Sequence, residues 1–156
     1  MILECDTIIF ACKPYQIKDV LADVKSELKG KALVSVAAGW DHQTFADLLG
    51  TDTRIQCIMP NTPAQVGAGV SAVCPVGLND EETEFVKKLL GTCGEVILCD
   101  EKTLDAIGCV SGTGPAYVML FIEAMADAAV ALGIKRDDAL KIAAGTVMGS
   151  GELCLK

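Results

Sequence analysis

The hydrophobic period of this chain changes once, near residue 101, and that change restricts the folds open to it. Before it, short runs rich in valine and isoleucine alternate with helical stretches, which is the pattern of an α/β fold with a largely parallel sheet. Residues 6–12 (DTIIFAC) form a nearly continuous apolar run, as expected of a strand covered on both faces. Pro14 stops it, and Ile17, Val20, Leu21, Val24 and Leu28 then share one helix face until Gly30. Residues 32–37 (ALVSVA) predict a second strand, Asp41 the cap of a helix over 42–49, and residues 54–59 (RIQCIM) a third strand. Two further strands are expected over 69–76 and 95–99, around a helix over 81–90 capped by Asp80. No long helix precedes the fourth strand, so one edge of the sheet is expected to be antiparallel. Beyond the change, 115–132 and 136–155 read as two long helices joined by Gly133-Ile134-Lys135, an αα-hairpin by loop length. The expected domains are therefore 1–100 and 101–156.

Composition narrows the function classes. A formal charge of −8 argues against a nucleic-acid surface, which needs clustered Lys and Arg. No basic segment precedes an apolar stretch at the start, so no secretory signal is expected. The most apolar window, 115–122, is interrupted by Glu123 after eight residues, which is short of a membrane span. A cytoplasmic protein without a membrane partner follows as the expectation. Eight cysteines contain no CxxC and are accompanied by one histidine, His42, so no metal site is expected. Cys12, Cys57, Cys74 and Cys99 sit in apolar runs, where a free thiol behaves as a small hydrophobe.

Ligands of open α/β sheets bind beyond the carboxyl ends of the strands. The segments there are Cys12-Lys13-Pro14, Ala37-Ala38-Gly39 and Pro60-Asn61-Thr62-Pro63. They carry small side chains, a glycine and prolines that fix the loop, and Asn61 offers both donors and an acceptor. Each also has a plainer reading: Lys13 as a solvated strand end, Ala37 to Gly39 as packing, Asn61 as a turn residue. Their recurrence at three strand ends favours a site.

Four stretches together, ACKP (11–14), VSVAAG (34–39), MPNTPAQVGAG (59–69) and VSGTGPAYVMLFIEAMADAAVALGI (110–134), resemble pyrroline-5-carboxylate reductase. The resemblance runs in order along essentially the whole chain. It implies a partial Rossmann-like nucleotide-binding sheet followed by the start of an all-α dimerisation domain. It further implies an NADP- or NAD-dependent enzyme that delivers hydride to the ring imine carbon of 1-pyrroline-5-carboxylate, giving L-proline, as a homodimer or larger homo-oligomer. In this reading Ala11, Lys13, Pro14, Ala37, Ala38, Gly39 and Asn61 lie along the cofactor, and Ser111 and Thr113 lie near the substrate.

The departures from that family concern the anchors. No GxGxxG phosphate turn occurs in the 156 residues, and neither does a Ser-Pro-Gly-Gly-Thr-like substrate loop. The isolated polypeptide is accordingly expected to lack reductase activity and to be prone to associate through its exposed edge. Two alternatives stay open: a non-catalytic dimerising module, and a relative of hydroxyacid dehydrogenases, which would be expected to carry a lysine early in 115–132, where none occurs.

Other residues have more than one reading. Glu123 and Asp127 lie four apart on one helix face and mark a solvent edge or a dimer contact rather than a metal site. His42 falls in a first helical turn, which suits a surface role, and Trp40 either covers a cofactor or packs on the next helix. Cys109 has no nearby histidine to activate it. Gly112-Thr113-Gly114 is expected to act as a hinge, with Gly114 capping the helix that Pro115 opens.

Overall fold

The computed structural model describes residues 2–156. Its five strands are β1 (Thr7–Phe10), β2 (Ala32–Ser35), β3 (Ile55–Met59), β4 (Gly69–Val73) and β5 (Gly94–Leu98), adjacent in that order in one sheet. The first three are parallel, β3 and β4 are antiparallel, and β4 and β5 are parallel again. The expected reversal is present but lies inside the sheet, not at an edge. Its cause is the short 3-10 segment Thr62–Val66, the only regular element between β3 and β4, which is too short for a crossover. A helix, α3 (Asp80–Gly91), separates β4 from β5 and allows them to run parallel.

Strand alternation sends side chains to two covered faces. Leu33, Ile55, Cys57, Ala72 and Cys74 pack with Phe10, Ile17, Leu21, Phe45 and Leu104. These partners include residues of α1 (Ile17–Val24), α2 (His42–Leu49) and α4 (Glu101–Ser111). Val34, Ile58 and Val73 face the other way and pack with Val86 of α3. Burying each large aliphatic side chain contributes roughly 1.5–3 kcal/mol, so Ile17 and Ile55, both fully buried, weigh heavily in this core. A mixed sheet with helices on both faces is a Rossmann-like arrangement.

Several local expectations change. The first helix is only α1, flanked by 3-10 turns at Pro14–Gln16 and Lys25–Glu27. Asn79, not Asp80, caps α3: its Oδ1 accepts from Glu82 N–H at 2.9 Å while Glu82 Oε2 accepts from Asn79 N–H at 3.2 Å. This is a capping box, whose acidic partner stands three residues inside the helix. The stretch before Gly112 is α4, begun by Asp100, whose Oδ1 accepts from Thr103 N–H at 2.9 Å. Asp100, Thr103 and Leu104 therefore held an unread helix start.

The chain divides into two compact units, one ending at Gly112 and one spanning Thr113–Lys156. Within the first of these units α4 packs on β3 and β4, and its Leu104 is buried with the core. The second unit is a hairpin of α5 (Gly114–Ala131) and α6 (Arg136–Cys154), turned by Gly133 at φ 94°. Ala126, Ala139 and Ala143 are buried between the two helices, with Ile122 and Met125 packed around them. Gly114 is not the cap of α5 but its first residue, after Thr113, and neither Gly112 nor Gly114 has a positive φ. Arg136 pairs with both Glu123 and Asp127, at 2.5 Å from Asp127, and all three side chains are exposed.

Tyr117, Met119, Leu120 and Phe121 on α5 are 60–70% exposed. Among the described residues, the helical run Glu101–Ala131 is long and apolar enough to cross a membrane by length and composition. The uninterrupted apolar run covers only 115–122, but alanines and just two acids extend the apolar character of α5 beyond it.

Candidate functional site

Register brings the ends of β1 and β2 level, and β3 runs two residues farther in the same direction. Phe10 is opposite Ser35, Ser35 is opposite Cys57, and Val36 N–H donates to Phe10 O at 3.2 Å. The segments that follow, Ala11 to Pro14, Ala37 to Gly39 and Pro60 to Asn61, therefore leave the same edge of one sheet. All belong to the first unit.

Ala11, Lys13, Ala38 and Gly39 are exposed there. Ala37 points into the core, at 7% exposure, and Pro14 starts the 3-10 turn whose geometry is closed by Lys13 N–H donating to Gln16 Oε1 at 3.0 Å. Gly39 takes φ +74°, and nothing lies within 4 Å of where its Cβ would stand. The glycine is thus needed for the left-handed turn, and the turn leaves backbone open to a ligand. An exposed ammonium and open backbone at one edge suit an anionic, hydroxyl-bearing ligand.

Asn61 has a different environment. Its Oδ1 accepts from Val70 N–H at 2.9 Å and its Nδ2 donates to Ser111 O at 3.0 Å. The Ser111 hydroxyl donates back to Ile107 O at 3.0 Å within α4. Ser111 thus lies beside Asn61, whereas Thr113 takes the N-cap position of α5 in the other unit.

Trp40 is packed on Phe45 of α2, with ring centroids 4.9 Å apart, and Phe45 in turn stacks on Phe10. His42 contributes its backbone: its N–H donates to Glu101 Oε1 at 3.0 Å, tying the start of α2 to the start of α4. Glu101 carried no local signal for this, because its partner is 59 residues away in sequence. Asp41 caps α2, and its bonds from the Thr44 hydroxyl and N–H hold its carboxyl below the usual range. Burial pushes the Cys57 thiol up to about 12 and the Cys74 thiol up to about 11, with Glu101 adding to both. Neither is a nucleophile at neutral pH.

The profile for pyrroline-5-carboxylate reductase dimerisation matches residues 101–156, and that for NADP oxidoreductase, coenzyme F420-dependent, matches residues 1–39. Pyrroline-5-carboxylate reductase of Arabidopsis thaliana is 41% identical over 158 residues, covering 100% of this chain and 57% of the relative. That of Escherichia coli (strain K12) is 43% identical over 153 residues, covering 97% of this chain and 57% of the relative. By sequence the chain is similar throughout its length to the pyrroline-5-carboxylate reductases. The crystal structure of Plasmodium falciparum pyrroline carboxylate reductase, described with NADP bound, superposes with a TM-score of 0.91 at 34% identity, covering 99% of this chain and 60% of that one. Imine reductases share the fold at lower identity, as in the Myxococcus stipitatus enzyme, with a TM-score of 0.60 at 19% identity. The chain spans somewhat over half the length of the pyrroline-5-carboxylate reductases it matches.

Proposed function

We propose that this chain contributes to an NADPH-dependent reduction of 1-pyrroline-5-carboxylate to L-proline, with the cofactor lying along the edge where β1, β2 and β3 end. The observation that carries this reading is that those three parallel strands end on the same side of the sheet, within a chain similar throughout to the reductases. The residues fit such a group: Lys13 offers a cation for phosphate charge, while Ala11, Ala38 and Gly39 present little bulk at an open edge. Pro14 and Ala37 fix the two turns from behind. When bound, the reduced nicotinamide supplies the hydride, and the protein supplies orientation. Ser111 and Thr113 are assigned to the substrate side. NADPH is chosen over NADH because one similar reductase of known structure is described with NADP bound.

The second unit is proposed to pair with a second copy. Its exposed Tyr117, Met119, Leu120 and Phe121 form an apolar surface that a homodimer would bury. Buried thiols at Cys57 and Cys74 suit a reducing compartment, and we assign the protein to the cytoplasm.

Trp40 adjoins Gly39 and reports on this edge, so titration of the chain with NADPH, followed by its fluorescence, tests the assignment. A saturable change, displaced by NADP and absent in a Lys13→Glu variant with an unchanged denaturation midpoint, is expected. No saturable response from the wild-type chain would rule the cofactor reading out.

A further inference from the structure

Asn61 stands at the β3 end of the proposed cofactor edge, yet both ends of its amide are engaged inside the protein. Its Oδ1 takes the N–H of Val70, the second residue of β4, across nine positions of sequence. Its Nδ2 reaches the carbonyl of Ser111, the last residue of α4, across fifty. Between Asn61 and Val70 runs the 3-10 segment Thr62–Val66, which ends in Gly67 at φ 73°. The bond to Val70 closes this loop at its base. The bond to Ser111 serves one of the carbonyls left without an intrahelical partner at a helix C-terminus. One side chain thus holds the loop after β3, the start of β4 and the end of α4 in a fixed relation.

We infer that Asn61 is a positioning residue, acting on the strand-end edge through Val70 and Ser111 rather than by touching the cofactor. This rests on the cofactor reading above only in naming what the edge receives. A neutral amide is required for both contacts. An aspartate of the same shape keeps the acceptor for Val70 N–H, but its ionised carboxylate has no proton for Ser111 O and places negative charge at the negative end of α4. Alanine removes both bonds.

Amide hydrogen exchange and NADPH titration of wild type, Asn61→Ala and Asn61→Asp separate this role from a direct contact. In Asn61→Ala, exchange at Val70 and over 109–112 is expected to accelerate roughly three- to tenfold, as for loss of a single net hydrogen bond at each place, with NADPH affinity falling alongside. Asn61→Asp is expected to keep Val70 protected while the end of α4 exchanges faster, with a smaller loss of affinity. Weakened NADPH binding in Asn61→Ala with exchange unchanged at both places would mean direct contact and overturn the inference. Unchanged exchange together with unchanged binding would overturn it equally. A wild-type chain that ignores NADPH defeats the cofactor reading alone, and exchange at Val70 and 109–112 then decides the role of Asn61 by itself.

Discussion

At the scale of single residues, two glycines with similar backbone angles have different surroundings. Gly39 has φ +74° with open space around it, whereas Gly77 has φ +88° and a Cβ there would lie 2.1 Å from Ile55 O. Alanine at 39 should cost about 1 kcal/mol, the ordinary penalty of the left-handed region. Alanine at 77 must also displace the β3 backbone and should cost at least about twice as much. Urea denaturation of the two variants measures the difference, and equal midpoints would show that the contact at Ile55 yields freely. The thiols divide in a similar way. Cys57 and Cys74, buried and raised to about 12 and about 11, should resist iodoacetamide in the native state and label only on unfolding. Exposed Cys154 should label at once, as mass spectrometry of timed samples will show. From sequence, the apolar neighbours of Cys57 and Cys74 were enough to expect burial. The ring that Trp40 chose was not legible, because two stable placements fitted the same residues.

At the scale of elements, helix starts govern stability against acid. The carboxyl of Asp41 is held low chiefly by the Thr44 hydroxyl, and that of Glu82 chiefly by Arg54. A carboxyl with a depressed folded pKa stabilises the fold above its unfolded value and loses that contribution as pH falls through the folded value. Stability should therefore decline once pH drops below about 4. Asp41→Asn, which keeps a capping acceptor, should flatten the decline in urea midpoints measured from pH 6 to pH 2.5. Replacing Asn79 by alanine should remove the capping box of α3 and cost about 1 kcal/mol. For α4, Leu104→Ala should cost about 3 kcal/mol, because it is the residue by which this helix enters the sheet's core. The sequence showed α2 and its cap fully, since cap, periodicity and terminal glycine agreed. It hid α4, whose apolar run 106–110 is interrupted by the internal Gly108.

At the scale of the whole molecule, the hairpin of α5 and α6 has its own small core of alanines but leaves large apolar side chains outward. A separate apolar groove of about 300 Å³ is lined by Met125, Leu132, Ile134 and Ile142 among others. Sedimentation should show a dimer whose dissociation is promoted by Phe121→Asp or Leu120→Asp, while far-ultraviolet circular dichroism stays unchanged. A wild-type monomer at micromolar concentration would remove the pairing from the proposal. The sequence by itself determined the α/β-then-helical order, the three strand-end segments and the resemblance to the reductases, because these depend on local periodicity and on motifs that stand contiguous in the chain. Only the tertiary structure decided that the reversal at β3–β4 lies inside the sheet, that α4 packs with the first unit, and that the amide of Asn61 is held by Val70 and Ser111. Each of these depends on which distant groups meet across strands and helices, and hydrogen bonds between residues 9, 50 or 59 positions apart leave no periodic trace in the chain that makes them.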